Sequence, residues 1–129
     1  MPAAAIAAAW LIALLGVLEW ALAQGEPADT DDGLLAFNNA CRTCHTMKEG
    51  DNRQGPSLAG IFGRKAGSLP GFNYSPSMKQ SGITWDEATL DKFIADPEQV
   101  VHGSTMKPYG GITDAAQRKT IVDFLKSGG

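Results

Sequence analysis

Residues 41–45 have the sequence CRTCH, and this motif is the strongest indication of how the chain folds. Two cysteines separated by two residues, with a histidine directly after the second, form the attachment signature of a c-type haem. Positions i, i+3 and i+4 of a helix share one face, so Cys41, Cys44 and His45 would project toward the same group. The two thiols would form thioether bonds to the porphyrin, and His45 would reach the iron. An attached haem would then be the core around which a small chain folds.

A pair of cysteines at this spacing also occurs in redox dithiols and in zinc sites. A thioredoxin-type dithiol is expected near a βαβ pattern, and the sequence contains no convincing strand run. A structural zinc site needs four ligands, and beyond the motif only His102 remains from the cysteine and histidine set. A disulfide within the motif would close too small a loop to stabilise the chain much. A thiol oxidoreductase using Cys41 and Cys44 remains as a minor alternative.

The bulk composition describes one small, mildly acidic domain. The chain has 129 residues, a formal net charge of -3 and two cysteines, both in the motif. A domain of this size has a modest apolar core, to which a covalent haem would add substantially. The chain has no surplus of basic residues of the kind that nucleic-acid binding uses, so we expect no nucleic-acid partner.

The first 23 residues, MPAAAIAAAWLIALLGVLEWALA, are apolar except for Glu19. An apolar run that ends in an A-x-A site is typical of a secretory signal peptide, here cleaved after Ala23. No lysine or arginine precedes the run, and it is long enough to span a bilayer, so an uncleaved membrane anchor is the alternative. Residues 24–31 are predicted to form a flexible acidic linker, and residues 32–129 the haem domain.

Apolar spacing and capping residues predict an all-α domain. A first helix would start from cap candidates at residues 30–32 and carry Leu34, Phe37 and Ala40 as one apolar stripe into the motif. Gly33 would normally weaken this helix, and it fits either a close approach by another helix or a frayed start.

Residues 48–82 are rich in Gly, Pro, Ser and Asn. Such a long irregular segment is unusual in a compact domain unless it wraps a ligand. We expect it to wrap the haem, with one short helix around residues 75–80.

Two further helices are predicted after this segment. Thr84 and Glu87 have capping-box spacing and would open a helix that Pro97 stops. A loop at residues 98–112 would follow. Thr113 and Asp114 would then cap a last helix that carries an apolar face made by Ile121, Phe124 and Leu125 and ends at residues 127–129.

A haem held by His45 on one side needs a sixth ligand on the other. The candidates are Met47, Met78, Met106 and His102. Met47 is too close to His45 in the chain to reach round the haem, and Met78 is more naturally a packing residue. Met106 lies in a turn, GSTMKP, that can present one side chain rigidly. A thioether opposite histidine raises the reduction potential and leaves no coordination position for oxygen or peroxide.

The sequence closely resembles class I cytochromes c, of the mitochondrial and bacterial c2 or c550 type, over about residues 32–126. The resemblance rests on Gly33, Phe37, CRTCH, Gly55-Pro56-Ser57-Leu58, Gly60-Ile61-Phe62-Gly63-Arg64-Lys65-Ala66-Gly67, Gly71-Phe72-Asn73-Tyr74, Gly82-Ile83-Thr84-Trp85, Pro97, Gly103-Ser104-Thr105-Met106 and the final helix. It implies four to five helices and long loops wrapped around one covalently attached haem.

The resemblance also implies a role for each matching position. Cys41 and Cys44 correspond to the thioether sites, His45 to the proximal ligand and Met106 to the distal ligand. The carbonyl of Pro56 would accept the ring N–H of His45. Tyr74 and Trp85 would donate hydrogen bonds to a buried haem propionate, and Arg64 would be the counter-charge of that propionate. A buried carboxylate needs such partners. Gly33 and Phe37 would meet the last helix near Phe124.

Three features depart from the family pattern. Phe93 stands where the family often has a tyrosine near the methionine sulfur, and Met78 stands where many relatives have asparagine. The lysine ring of the mitochondrial members is reduced: Ala40, Glu98 and Thr105 occupy ring positions, and Arg42, Lys48, Lys79 and Lys107 remain. Since complementary charge mostly sets encounter rate and partner choice, we expect a less acidic partner surface or less electrostatic steering.

The resemblance implies a monomeric one-electron carrier in the bacterial periplasm rather than an enzyme. It would take electrons from a bc1-type complex or a periplasmic dehydrogenase and pass them to a terminal oxidase or reductase. If residues 1–23 are retained, they would tether it to the inner membrane. The alternative is a haem sensor or weak peroxidase in which Met106 is labile or displaced by His102.

Overall fold

The computed structural model describes residues 30–129, and these form an all-α domain. Its five helices are α1 (Thr30–Ala40), α2 (Pro76–Gln80), α3 (Glu87–Ala95), α4 (Pro97–Val100) and α5 (Ala115–Ser127). The one β-pairing in this part of the chain is an isolated bridge between Lys65 and Thr84. The predicted fold class and number of helices are therefore confirmed.

Helix α1 packs on α5 at Gly33. A Cβ atom at Gly33 would lie 2.9 Å from the Cβ of Phe124. One turn later, Phe37 is 3% exposed and its ring centroid lies 5.3 Å from that of Phe124. Of the two explanations for Gly33, the close approach of a second helix is confirmed, because this approach leaves no room for a side chain.

The predicted apolar stripe of α1 was wrong at its N-terminal end. Leu34 and Leu35 are 46% and 58% exposed, respectively. Gly33 and Phe37 are four residues apart and share the face that meets α5, which turns Leu34 away from that contact.

Replacing Gly33 with alanine is expected to lower the free energy of unfolding by about 1–2 kcal/mol, because overpacking against Phe124 outweighs the gain in helix propensity. Chemical denaturation of the holoprotein measures this change. Gly110→Ala is the matched control, because a Cβ atom there would meet no atom within 4 Å. Equal stability of the two variants would contradict the close-packing explanation.

The capping box of α3 lies two residues later than predicted. Asp86 is the N-cap: its side chain accepts the N–H of Thr89, and the Thr89 hydroxyl accepts the N–H of Asp86, both at 2.8 Å. The predicted pair of Thr84 and Glu87 was wrong because the bridge to Lys65 keeps Thr84 in extended backbone. The buried face of α3 carries Leu90, Phe93 and Ile94.

Pro97 ends one helix and begins another. Helix α3 stops at Ala95, and Pro97 is the first residue of α4, with the Asp96 side chain accepting the N–H of Gln99 at 3.2 Å. The fixed φ of proline suits the first position of a helix. The predicted loop at residues 98–112 was therefore wrong at its start, which is helical.

The last helix forms as predicted. Asp114 is its N-cap and accepts the N–H groups of Ala116 and Gln117. Gly128 ends it with φ of +92°, a left-handed conformation that favours glycine.

The N-terminal predictions fall mostly outside the described residues. Helix α1 begins at Thr30, so the last two residues of the predicted 24–31 linker belong to the helix. The rest of that linker and the predicted signal peptide or anchor at 1–23 lie outside the described part of the chain. Within residues 30–129, no helix is long and apolar enough to cross a membrane.

Candidate haem site

The CRTCH motif forms a turn directly after α1. The helix ends at Ala40, but the N–H groups of Cys44 and His45 both reach the carbonyl of Cys41, at 3.1 and 3.0 Å. These bonds keep the i, i+3 and i+4 spacing of a helix. Cys41, Cys44 and His45 therefore line one cavity, as the motif predicts.

His45 is held as a neutral imidazole. Its side chain is buried, and its Nδ1 lies 2.8 Å from the carbonyl oxygen of Pro56. A carbonyl can only accept, so Nδ1 is the donor, and in the neutral ring Nε2 then keeps its lone pair. Burial lowers the pKa of His45, and the hydrogen bond to Pro56 opposes that shift. The neutral ring is the form that binds a metal.

Gly55 packs against the His45 ring, a contact that sequence reasoning missed. A Cβ atom at Gly55 would lie 2.6 Å from Nδ1 and 2.8 Å from Nε2 of His45. Its backbone N–H also donates to the carbonyl of Cys44 at 2.8 Å. In the sequence, the one indication of this contact was the position of Gly55 directly before Pro56. Together, Gly55 and Pro56 set the orientation of the imidazole.

Gly55→Ala is expected to lower the unfolding free energy of the holoprotein by about 3 kcal/mol, the upper end of the cost of overpacking, because the backbone and a bonded ring both resist movement. Thermal unfolding followed by absorbance in the Soret region measures it. Gly110→Ala again provides the control at an open site. A variant with unchanged stability would mean that the His45 ring can shift freely.

The cavity has a volume of about 460 Å³, within the range of roughly 300–1,000 Å³ typical of ligand sites. Every residue predicted for the site lines it: Cys41, Cys44, His45, Pro56, Arg64, Tyr74, Trp85 and Met106. Segment 48–82 supplies one side of the wall, including Leu58, Ile61 and Phe72. The expectation that this irregular segment wraps a ligand site is therefore consistent with the fold.

Three polar side chains line the cavity, those of Arg64, Tyr74 and Trp85, and backbone hydrogen bonds join the segments of Arg64 and Trp85. The N–H of Gly63 donates to the carbonyl of Trp85, and the N–H of Trp85 donates to the carbonyl of Arg64, at 2.8 and 2.9 Å. The Arg64 guanidinium donates to the carbonyls of Ser57 and Ala59. Tyr74 and Trp85 make no side-chain hydrogen bond to any described residue, so both donors are available to a ligand.

Met106 lies in a loop that is tied to the end of α3. The carbonyl of Ile94 accepts both the Tyr109 hydroxyl at 2.6 Å and the N–H of Ile112 at 3.0 Å. Gly111, with φ of +93°, passes so close to Ala95 that a Cβ atom would collide with its backbone. This loop therefore presents Met106 from a fixed backbone.

Tyr109 is a second residue that sequence reasoning missed. It lines the cavity, and burial raises its pKa to about 12, with the nearby Cys41 adding to the shift. Its hydroxyl therefore stays protonated and continues to donate to Ile94. An aromatic residue three positions after Met106 was the signal in the sequence.

The surroundings of the thiols do not favour a redox dithiol. Burial raises the pKa of Cys41 to about 11, and the proximity of Cys44 adds to it. Thiol oxidoreductases depend instead on a lowered cysteine pKa. The Cys44 sulfur contacts Oε1 of Gln54 at 3.4 Å.

His102 lies away from the cavity. Its side chain is 95% exposed, and its Nδ1 pairs with Oε1 of Glu98 at 2.8 Å. This placement does not support His102 as the distal ligand in the alternative hypothesis.

The residues present fit a haem c. A mainly apolar cavity contains two thiols at the attachment spacing, a neutral imidazole with a free Nε2, and a thioether on a fixed loop. The free donors of Tyr74 and Trp85 suit the carboxylates of a porphyrin.

Comparisons with known proteins agree with this geometry. The family model for cytochrome c matches residues 31–129. Cytochrome c2 iso-2 of Magnetospirillum fulvum is 46% identical over 67% of this chain and 90% of its own length. Cytochrome c2 of Rhodomicrobium vannielii is 41% identical over 88% of this chain and 91% of its own.

A solved structure extends the likeness to the fold. Cytochrome cH from Methylobacterium extorquens superposes with a TM-score of 0.70 at 38% identity, covering 77% of this chain and 98% of that one. The chain therefore belongs to the cytochrome c family of haem-based electron carriers and, within it, to the class I bacterial cytochromes of the c2 type.

Proposed function

We propose that this chain carries single electrons on one haem c, attached through Cys41 and Cys44, with His45 and Met106 as the axial ligands. The observation that carries the proposal is that one cavity gathers both thiols, the neutral imidazole and the Met106 thioether. When bound there, a haem c supplies an iron that accepts and releases one electron between its ferric and ferrous states.

The chain's own residues would bind, orient and shield that group. Pro56 and Gly55 hold the His45 ring, and bonding of its Nδ1 strengthens Nε2 as a ligand. Tyr74 and Trp85 would donate to a propionate, with Arg64 as the nearby positive charge. Because Met106 would fill the last coordination position, small ligands would be excluded and only electrons exchanged.

We also propose that this carrier works in the bacterial periplasm, as a monomer, between redox proteins. Its donor would be a bc1-type complex or a periplasmic dehydrogenase, and its acceptor a terminal oxidase or reductase. The apolar segment 1–23 and its A-x-A ending support export. Mass spectrometry of the purified protein tests the leader: a chain starting at Gln24 means cleavage, and a chain starting at residue 1 means a membrane tether.

The optical spectrum of the holoprotein tests the ligands. A near-infrared sulfur–iron band in the ferric form, and a ferrous spectrum that carbon monoxide does not shift, are expected for His45 and Met106. Absence of the band together with ready carbon monoxide binding would favour the sensor or weak peroxidase instead. Phe93 is relevant to that second function, since it lines the cavity and offers no hydroxyl to the sulfur.

A further inference from the structure

The two carboxylate oxygens of Glu98 have different contacts. Its Oε1 accepts the N–H of Gly103 at 2.9 Å and lies 2.8 Å from Nδ1 of His102. Its Oε2 is shielded from solvent and has no hydrogen-bond partner in the described chain, although the side chain as a whole is 44% exposed. A hidden oxygen without a partner is unfavourable. The contacts of Oε1 with Gly103 and His102 join Glu98 to the turn that follows α4.

That turn leads directly to Met106. Gly103 has φ of +80°, a conformation that side chains rarely adopt. Ser104 follows it and is 4% exposed; its N–H donates to the carbonyl of Val101 at 3.0 Å, and its hydroxyl accepts the N–H of Met106 at 3.3 Å. A continuous path of bonds thus runs from the Glu98 carboxylate through Gly103 and Ser104 to the Met106 backbone.

Glu98 lies on a helix that buried residues hold in place. It lies on α4, which is capped by Asp96, and both Pro97 and Val101 are buried. Tyr109 and Ile112 bind the other end of the Met106 loop to α3. Met106 therefore lies between two attachments, and Glu98 provides the one on its N-terminal side.

We propose that Glu98 is a positioning residue for Met106: its carboxylate holds the turn at Gly103 and so keeps the thioether in place. The proposal rests on the proposed function, in which Met106 is the distal ligand.

The charge of Glu98 is consistent with this role. The hydrogen bond from Gly103 lowers the pKa of its carboxyl, and the nearby His102 and Lys107 add to that shift. The group therefore stays ionised at neutral pH, where a charged acceptor forms the stronger hydrogen bond.

The test uses the full-length holoprotein and two variants of Glu98. Glu98→Ala removes the acceptor, and Glu98→Gln keeps an acceptor without the charge. We measure the rate at which imidazole displaces the distal ligand of the ferric protein, and the hydrogen exchange of the Gly103 amide by NMR. For Glu98→Ala we expect displacement about tenfold faster, the scale of one lost charge-assisted hydrogen bond, and faster Gly103 exchange.

Glu87→Ala is the matched control. Glu87 is likewise a partly exposed glutamate; its carboxylate pairs with Lys126 at 3.4 Å, and it lies on α3 away from the turn. It should leave both measurements unchanged. Equal acceleration in Glu87→Ala and Glu98→Ala would overturn the proposal, because general destabilisation would then explain both.

Two further outcomes separate this proposal from the proposed function. A wild-type spectrum without the sulfur–iron band would overturn both. A normal band in the wild type with wild-type displacement rates in Glu98→Ala would overturn only the role of Glu98. If Glu98→Ala fails to fold, the test rests on Glu98→Gln. For that variant we expect imidazole to displace the distal ligand about threefold faster, because only the charge is lost. An unchanged displacement rate would overturn the proposal.

Discussion

Met106→Leu is expected to remove the near-infrared sulfur–iron band and to open the ferrous iron to carbon monoxide. Leucine keeps the volume of methionine but has no atom that can bind a metal. Thioether ligation raises the potential of a haem, so the variant should also show a lower midpoint potential. The expected fall is on the order of 0.2 V, part of the roughly 0.8 V range that axial ligands set. Redox titration followed by optical spectroscopy measures both effects.

Met78→Leu is the control for that experiment. Met78 also lines the cavity, but it lies on the short helix α2. Its thioether can likewise be removed with little change of volume, and we expect the band and the potential to change little. Loss of the band in Met78→Leu with its retention in Met106→Leu would assign the distal ligand to Met78 instead.

The double variant Cys41→Ser, Cys44→Ser is expected to lose covalent haem completely. Serine has nearly the shape of cysteine but forms no thioether, so haem staining after denaturing electrophoresis should disappear. The core should also be destabilised, because Leu90, Phe93 and Ile94 of α3 line the cavity of about 460 Å³ that the haem would fill. We expect far-ultraviolet circular dichroism to report a largely unfolded chain.

Thr43→Ser is the control, because it introduces a serine into the same turn without removing a thiol. Thr43 lies between the two cysteines and also lines the cavity, but it has no thiol. Its variant should keep full haem staining and a folded spectrum. Staining that persists in the double cysteine variant would contradict attachment through the motif. Two thiols that react with a thiol reagent in the denatured wild-type protein would favour the thiol oxidoreductase.

Predictions based on short spacings agreed best with the structure. The cap at Asp114 and the buried face of α5 follow from residues within one or two turns of each other, so periodicity suffices to find them. The short helix predicted around residues 75–80 forms at Pro76–Gln80. Two of the errors arose where a distant segment intervened, whereas the helical start of the predicted 98–112 loop has a local cause in the Asp96 cap and Pro97. Leu34 is exposed because α5 selects the Gly33 face, and Thr84 is extended because Lys65 pairs with it.

The family and the candidate residues of the site could be predicted from local sequence. Residues 41–45 specify the attachment spacing locally, and ordered matches along the chain specify the family. How the predicted ligands are held depends on contacts that form only in the folded chain. Gly55 meets the ring of His45, and the Tyr109 hydroxyl meets the carbonyl of Ile94, across ten and fifteen positions. Such contacts form between segments that are distant in the chain, so a local pattern of residue types does not predict them.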